Sequence, residues 1–266
     1  MNERILWIGG DQPRHLFYAN ALRDLNVVGG IVQERGCQIP EPPEFGIGVE
    51  AMLDEINWRQ HFIQRQATEN KYFGNPKLPN IPLLKVDKDT LNDTDSVEFV
   101  RKMKPDIALI FGTGMIREPL VSALPKDTIN LHLGLSPRYR GAATLFWPFY
   151  FLEPNFAGTT FHYIEQSPDA GSIVHQVVPK LDREDGIHDV ACKAVLQSTV
   201  EAVALLKCYP WQKFPQRPET GKNFLESDFK PQHLRMIYQV YKNDIVRAYL
   251  DGEIHSKEPN LKRQFP

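Results

Sequence analysis

At 266 residues with 42% hydrophobic residues, the chain can bury a substantial core, and intrinsic disorder is excluded as its default state. Its 31 basic and 33 acidic residues give a formal net charge of -2, which leaves no global electrostatic footprint for nucleic acid or an anionic membrane. Cys37, Cys192 and Cys208 are odd in number and widely spaced, with no CxxC pair, so neither a disulfide framework nor a zinc site is expected and a reducing cytoplasm fits. The apolar run Ile5 to Ile8 is interrupted too soon for a signal peptide, and no run approaches a bilayer span; the expectation is a soluble, cytoplasmic protein.

In chain order, Ile5 to Ile8 reads as a buried strand ending at Gly9-Gly10, with Asp11 as cap and Pro13 in the first turn of a helix to about Leu25. Val27 to Val32 is a second strand. The GxGxxG spacing of a dinucleotide site is absent, so the glycine pair is read as letting the chain turn. After a Pro/Gly loop over 34–46, Val49 to about Tyr72 is amphipathic, one helix or two, carrying Met52, Ile56, Trp58 and Phe62, of which the Met and the aromatics are expected against the sheet. Ile81 to Val86 is a third strand. A helix capped by Asn92, Asp93 or Thr94 runs through Met103, and Ile107 to Phe111 is a continuous apolar strand of the kind covered on both faces.

Leu120 to Leu124 then reads as a short helix, Thr128 to His132 as a fifth strand, and Ala142 to Leu152 as an aromatic-rich helix. Gly158 to Tyr163 and Ser172 to Val178 are two more strands, and Asp185 to Asp189 opens a long helix, Val190 to Leu206. Pro210, Pro215, Pro218 and Gly221 break the chain before a last amphipathic helix, Gln232 to Leu250. A boundary near 210 divides a main domain, 1–209, from a carboxyl-terminal extension, 210–266. The fold class expected is α/β, with a mostly parallel sheet.

Chemistry concentrates between residues 130 and 171. Asn130 and His132 are two apart on a strand, so they share a face at its carboxyl end. The loop Gly134-Leu135-Ser136-Pro137-Arg138-Tyr139-Arg140-Gly141 follows, and Ser167-Pro168-Asp169-Ala170-Gly171 adds an acidic loop later. An amide donor, an imidazole and a nearby carboxylate supply an oxyanion donor, an acid/base group and an orienter, the equipment of acyl transfer. Singly, each has an ordinary explanation: a buried histidine, a turn-capping aspartate, an asparagine bonded to a loop. His162, His175 and His188 have no ligand spacing and are read as surface or packing residues.

The ordered set Asn130, His132, Leu135-Ser136-Pro137, Gly141, Asp169 and Gly171 resembles the formyltransferases that use 10-formyltetrahydrofolate. These include glycinamide ribonucleotide transformylase, methionyl-tRNA formyltransferase and the nucleotide-sugar N-formyltransferases. In layout the resemblance covers roughly residues 1–205, and its specific part is 107–175. It implies a Rossmann-like, mostly parallel sheet with the folate at the carboxyl ends of central strands. It further implies a catalytic triplet Asn130, His132 and Asp169, in which Asp169 orients His132 and raises its pKa. The pterin would be held, largely through main-chain groups, by Gly112, Gly114, Met115 and Ile116, by Leu135 and Pro137, and by Gln166, Ser167 and Pro168. No metal is implied. One departure is that the usual Ser-Leu-Leu-Pro stands here as Gly134-Leu135-Ser136-Pro137.

Within that family the formyl donor is shared and the acceptor differs. A transfer-RNA enzyme would carry a basic carboxyl-terminal barrel, and a glycinamide ribonucleotide enzyme would stop near Leu206. The extension here, with Gly221 to Leu225 and Asp228 to Pro231, looks like that of the sugar N-formyltransferases. The expected acceptor is therefore the amine of a nucleotide-linked deoxyamino sugar, as in O-antigen synthesis, with no nucleic-acid or membrane partner and a homodimer left open. Trp211, Phe214, Phe224 and Tyr238 are candidates to stack on it, and Lys213, Arg217 or Lys222 to meet its diphosphate. The alternatives are a methionyl-tRNA or other formyltransferase, a formyltetrahydrofolate hydrolase and, from another class, a catalytically silent folate-binding or nucleotide-binding module.

Overall fold

The computed structural model describes residues 2–34, 40–165 and 167–265. In chain order the elements are β1 (Ile5–Gly10), α1 (Pro13–Ala21), β2 (Val27–Gln33), α2 (Val49–Phe73), β3 (Leu83–Val86), α3 (Thr94–Met103), β4 (Ile107–Phe111) and α4 (Leu120–Ala123). They continue as β5 (Asp127–His132), β6 (Tyr139–Gly141), α5 (Trp147–Tyr150), β7 (Thr159–Tyr163), β8 (Ile173–Val177), α6 (Ile187–Lys207), β9 (Lys222–Phe224) and α7 (Ile245–Leu250). Seven strands form one sheet in the order β3-β2-β1-β4-β5-β7-β8, parallel from β3 through β5, with β7 antiparallel to both neighbours.

Alternation along the strands divides the core. Ile5 and Trp7 of β1 and Ile107, Leu109 and Phe111 of β4 pack with Leu16 and Tyr18 of α1 and Val195 and Ala202 of α6. Leu6, Ile8, Ala108 and Ile110 face the other way, onto Val100 and Met103 of α3. Both faces are covered, which is why these strands read as unbroken apolar runs. All the parallel strands deliver their carboxyl ends to one edge, where β1 ends at Gly10, β4 at Phe111 and β5 at His132.

Four expectations need correction. Met52 is 56% exposed, and Trp58 and Phe62 are buried in a second core with Phe146, Trp147, Phe224 and Ile237, away from the sheet. The aromatic stretch 142–152 is helical only over Trp147–Tyr150, because Ala143 and Leu152 adopt left-handed backbone with φ of 53° and 58°. The last long helix is instead a 3-10 turn (Pro231–His233), a π turn (Met236–Val240) and α7, interrupted where Lys242 and Asn243 take φ of 50° and 66°. That interruption has a use: Asn243 Oδ1 accepts the Ile187 N–H at 3.1 Å and caps α6. At α1 the cap is Gln12, whose carbonyl accepts from His15 and Leu16, and the helix ends at Ala21, not Leu25.

The extension is stitched to the body. β9 pairs in parallel with β6, a two-stranded unit too short to register as periodicity. Gly141 has φ of 84°, and a Cβ there would lie 2.1 Å from the Phe224 carbonyl oxygen, so only glycine lets these strands approach. Phe214 forms an antiparallel bridge with Ile173 at the edge of β8. Among the described residues no helix is long and apolar enough to cross a membrane.

Candidate active site

The antiparallel register of β5 and β7 sets Asn130 opposite His162 and His132 opposite Thr160. Directly opposed residues share a face, so one sheet surface carries an amide and two imidazoles within reach of one another. The loop after β7 returns Asp169 to them: its Oδ2 lies 3.2 Å from His132 Nδ1 and its Oδ1 lies 3.3 Å from His162 Nε2. The Gly141 N–H donates to Oδ2 at 2.9 Å, and Asn130 Nδ2 lies 3.3 Å from His162 Nε2. Asn130, His132 and Asp169 thus converge as expected. His162, read from sequence as a packing residue, is the fourth member. Its signal was the period of two along Thr159–Tyr163 beside the Asn130/His132 strand, but the strand register that pairs them is not written in either segment alone.

The proton inventory follows from the main chain. His132 Nε2 donates to the Tyr139 carbonyl and His162 Nδ1 to the Tyr163 carbonyl, both at 2.9 Å. A carbonyl only accepts, so these nitrogens carry the hydrogens of the neutral rings, and the nitrogens turned to Asp169 carry lone pairs. A hydrogen bond between either ring and the carboxylate therefore requires an added proton. Burial pushes the His132 pKa down to about 4, outweighing the attraction of Asp169, with His162 and Arg140 adding to the lowering. This reverses the expected raising: the ring is only 7% exposed, and desolvation of an imidazolium wins. Burial also opposes ionisation of Asp169; attraction to a charged His132, followed by the His162 contact and the Gly141 N–H, outweighs burial and lowers the carboxyl's pKa, and while the His132 ring is neutral the Gly141 N–H is the donor that remains on the carboxylate. At neutral pH the site presents an ionised carboxylate beside a neutral His132.

A cleft of about 690 Å³ opens beside His132 and runs along Gly141 to Phe146 between α2 and the start of α6. Trp58, Phe62, Phe146 and Phe229 supply apolar walls, and Arg14, Arg65 and Glu69 supply charge. Arg14 Nη1 meets Glu69 Oε1 at 2.5 Å, while Glu69 Oε2 and Arg14 Nε are buried without a hydrogen-bond partner among the described residues. Two further histidines line it: His61 Nδ1 lies 2.9 Å and His188 Nε2 3.4 Å from the Tyr238 hydroxyl.

The residues expected to hold a pterin lie elsewhere on the edge. Gly112 has φ of 78° and leaves room for the His15 ring, which a Cβ would meet at 2.1 Å. Gly114 N–H donates to Gln33 Oε1 at 2.6 Å, and Asn92 braces the turn by bonding Met115 O and Arg117 N. Met115 is exposed and Ile116 half-buried. Ser167 and Pro168 are exposed beside Asp169, and Gln166 lies outside the described residues. Pro137 is half-buried, but Leu135 is buried beside Gly158, which leaves its main chain and not its side chain for a ligand. Of the aromatics expected to stack on an acceptor, Trp211 is buried and bonds Leu205 O, Phe224 stacks on Trp147 at 4.5 Å, and Phe214 bridges Ile173. Lys213 and Lys222 sit over the Tyr163 and Phe224 rings. The extension meets the cleft through Glu226 and Phe229 instead.

The formyl transferase family matches residues 59–203. A methionyl-tRNA formyltransferase of Bacteroides thetaiotaomicron is 30% identical over 164 residues, 59% of this chain and 48% of its own length; the chain spans about half the length of the curated relatives it matches. The phosphoribosylglycinamide formyltransferase of Anaplasma phagocytophilum superposes with a TM-score of 0.53 at 19% identity, covering 78% of this chain and 86% of its own. The formyltransferase PseJ of Anoxybacillus kamchatkensis, solved with UDP-4,6-dideoxy-4-formamido-L-AltNAc and tetrahydrofolate, superposes at 0.50 and 16% identity, covering 92% and 96%. With more than half of its length matched by the family and the sheet, edge and cluster arranged as described, this chain belongs to the formyl transferase family.

Proposed function

We propose that the chain transfers a formyl group from 10-formyltetrahydrofolate to the amine of a nucleotide-linked amino sugar. The observation that carries the reading is the cluster of Asn130, His132, His162 and Asp169, whose His132 lines the cleft. The folate supplies the formyl carbon when bound. The partly exposed turn Gly112 to Ile116, at the carboxyl end of β4, and the exposed Ser167-Pro168 beside Asp169 offer main-chain groups to a flat polar ring and lie outside the cleft lining. The cleft then serves the acceptor.

Asn130 Nδ2 is the side-chain donor for negative charge developing on the carbonyl oxygen. Asp169 accepts the proton that the attacking amine sheds, directly or through a water. Because the nitrogens facing Asp169 hold lone pairs, that proton creates a hydrogen bond where none existed, between Asp169 Oδ2 and His132 Nδ1. As the bond from the formyl carbon to the folate nitrogen breaks, the proton held between Asp169 and His132 is returned to that leaving nitrogen, so the acceptor amine loses one proton and the departing tetrahydrofolate gains one.

The sugar acceptor is supported by the extent of the likeness to PseJ, which takes in most of the extension, whereas the phosphoribosylglycinamide enzyme covers less of the chain. A methionyl-tRNA acceptor is the second reading, favoured by the names of the curated relatives. The test is tetrahydrofolate release from 10-formyltetrahydrofolate with a panel of nucleotide-linked amino sugars and, separately, with methionyl-tRNA. Turnover with the tRNA and none with the sugars overturns the sugar acceptor; folate binding without turnover on either panel overturns the transferase.

A further inference from the structure

We propose that Gln216, in the extension, is a positioning residue that holds Asp169 in register between the two imidazoles. The proposal rests on the catalytic reading of the cluster, not on the identity of the acceptor. Asp169 is the residue of its loop with left-handed backbone, at φ of 52°, a conformation a non-glycine residue keeps only when its surroundings dictate it. The side chain is anchored by a single main-chain donor, the Gly141 N–H on Oδ2 at 2.9 Å, which fixes the carboxylate but not the backbone that carries it. The main chain must be held from outside.

Gln216 does so. Its Nε2 donates one hydrogen to the Asp169 carbonyl at 3.2 Å and the other to the Gly171 carbonyl, so both amide hydrogens are spent on the loop. The side chain is delivered by the bridge two residues earlier, where Phe214 and Ile173 exchange two main-chain hydrogen bonds of 2.8 Å. From the other side Arg140 ties the same loop to the same extension, donating to Pro168 O at 3.3 Å and Pro218 O at 3.1 Å. Below the loop, Gly171 is packed so tightly on Tyr163 that a Cβ would lie 1.8 Å from its carbonyl oxygen, the acceptor of His162 Nδ1. Gly171 is therefore fixed against the strand bearing His162, and Gln216 fixes Asp169 relative to Gly171. Losing the amide lets the aspartate turn out of its left-handed conformation and lose one or both imidazoles.

The experiment compares full-length Gln216→Ala and Gln216→Met with the unaltered protein. Methionine keeps the length and packing of the side chain and removes only the donors, so it decides the matter should alanine impair folding. Expected for both is a fall in kcat of about tenfold or more, from misplacement of the carboxylate, with the KM of folate and acceptor unchanged. The 15N resonances of the His132 and His162 rings should also shift. Gln264→Ala is the control, since Gln264 pins the extension to Val174 O and Gln212 O away from the loop. An unmoved ring spectrum in Gln216→Met, or an equal fall in kcat and equal ring shifts in Gln264→Ala, overturns the proposal. The ring spectra need no acceptor, so unaltered protein that turns over no amino sugar, while the Gln216 variants shift the rings, counts against the sugar reading alone.

Discussion

His188 offers a test of the electrostatics that does not depend on catalysis. It is 6% exposed at the head of α6, its ring centre 4.5 Å from that of His61, with the single Tyr238 hydroxyl between them. Burial, reinforced by Arg65, pushes its pKa from 6.5 down to about 4, and His61 is lowered as well, by burial and then by His188. Above pH 6.5 both rings are neutral, folded or unfolded, and nothing is lost. As the pH falls, the unfolded chain takes up a proton at the ordinary imidazole value while the folded His188 refuses it until about 4. The stability is thus present above 6.5 and drains between 6.5 and 4, a loss of roughly 3 kcal/mol from this ring. His188→Gln keeps a polar group beside Tyr238 and removes the titration. Urea unfolding at pH 7, 6 and 5 should show the variant's stability falling less steeply, by about 1.4 kcal/mol per pH unit at most. Parallel stability curves for the two proteins would refute the reasoning.

Three further outcomes are expected. Asp169→Asn and His132→Ala should each lower kcat by on the order of a hundredfold with little change in folate affinity, and His162→Leu should do the same, as steady-state kinetics beside folate titration will show. Gly141→Ala should destabilise the fold by about 2 kcal/mol or more in urea, since φ of 84° and the Phe224 carbonyl both oppose the methyl group, and should release β9 from β6. Phe229→Ala should raise the acceptor KM about tenfold while leaving that of the folate unchanged, because Phe229 lines the cleft and not the Gly112 turn or the Ser167-Pro168 loop; equal changes in both constants would contradict the division into two sides.

The sheet was legible because its strands are buried on both faces: Ile5 to Ile8 and Ile107 to Phe111 need no partner to be recognised as runs of apolar residues. Asn130 and His132 were legible as a pair for the same local reason, the period of two on one strand. What escaped was set by distant chain segments. His162 enters the site through a strand register, β6 and β9 find each other across more than eighty residues, and the 232–250 stretch breaks where Asn243 turns aside to cap α6. The direction of the His132 pKa escaped too, because a carboxylate can be inferred from spacing but the depth of burial that outweighs it cannot. Trp211 and Phe224 were misread as ligand platforms because aromatic content alone does not distinguish a wall from a core.

The far edge of the sheet carries one more implication. β8 is the last strand, and an open last strand is a template on which another chain can add its own. Here the extension occupies that position. Phe214 pairs with Ile173, Gln176 N–H donates to Lys262 O while its Oε1 accepts the Lys262 N–H, and Gln264 N–H reaches His175 Nδ1 at 3.0 Å, with the Phe265 ring 4.5 Å from that imidazole. Main-chain groups of Ile173 and Gln176 that would template fibril growth or strand exchange at β8 are thereby engaged within the chain, and a partner strand would have to displace the extension to reach them.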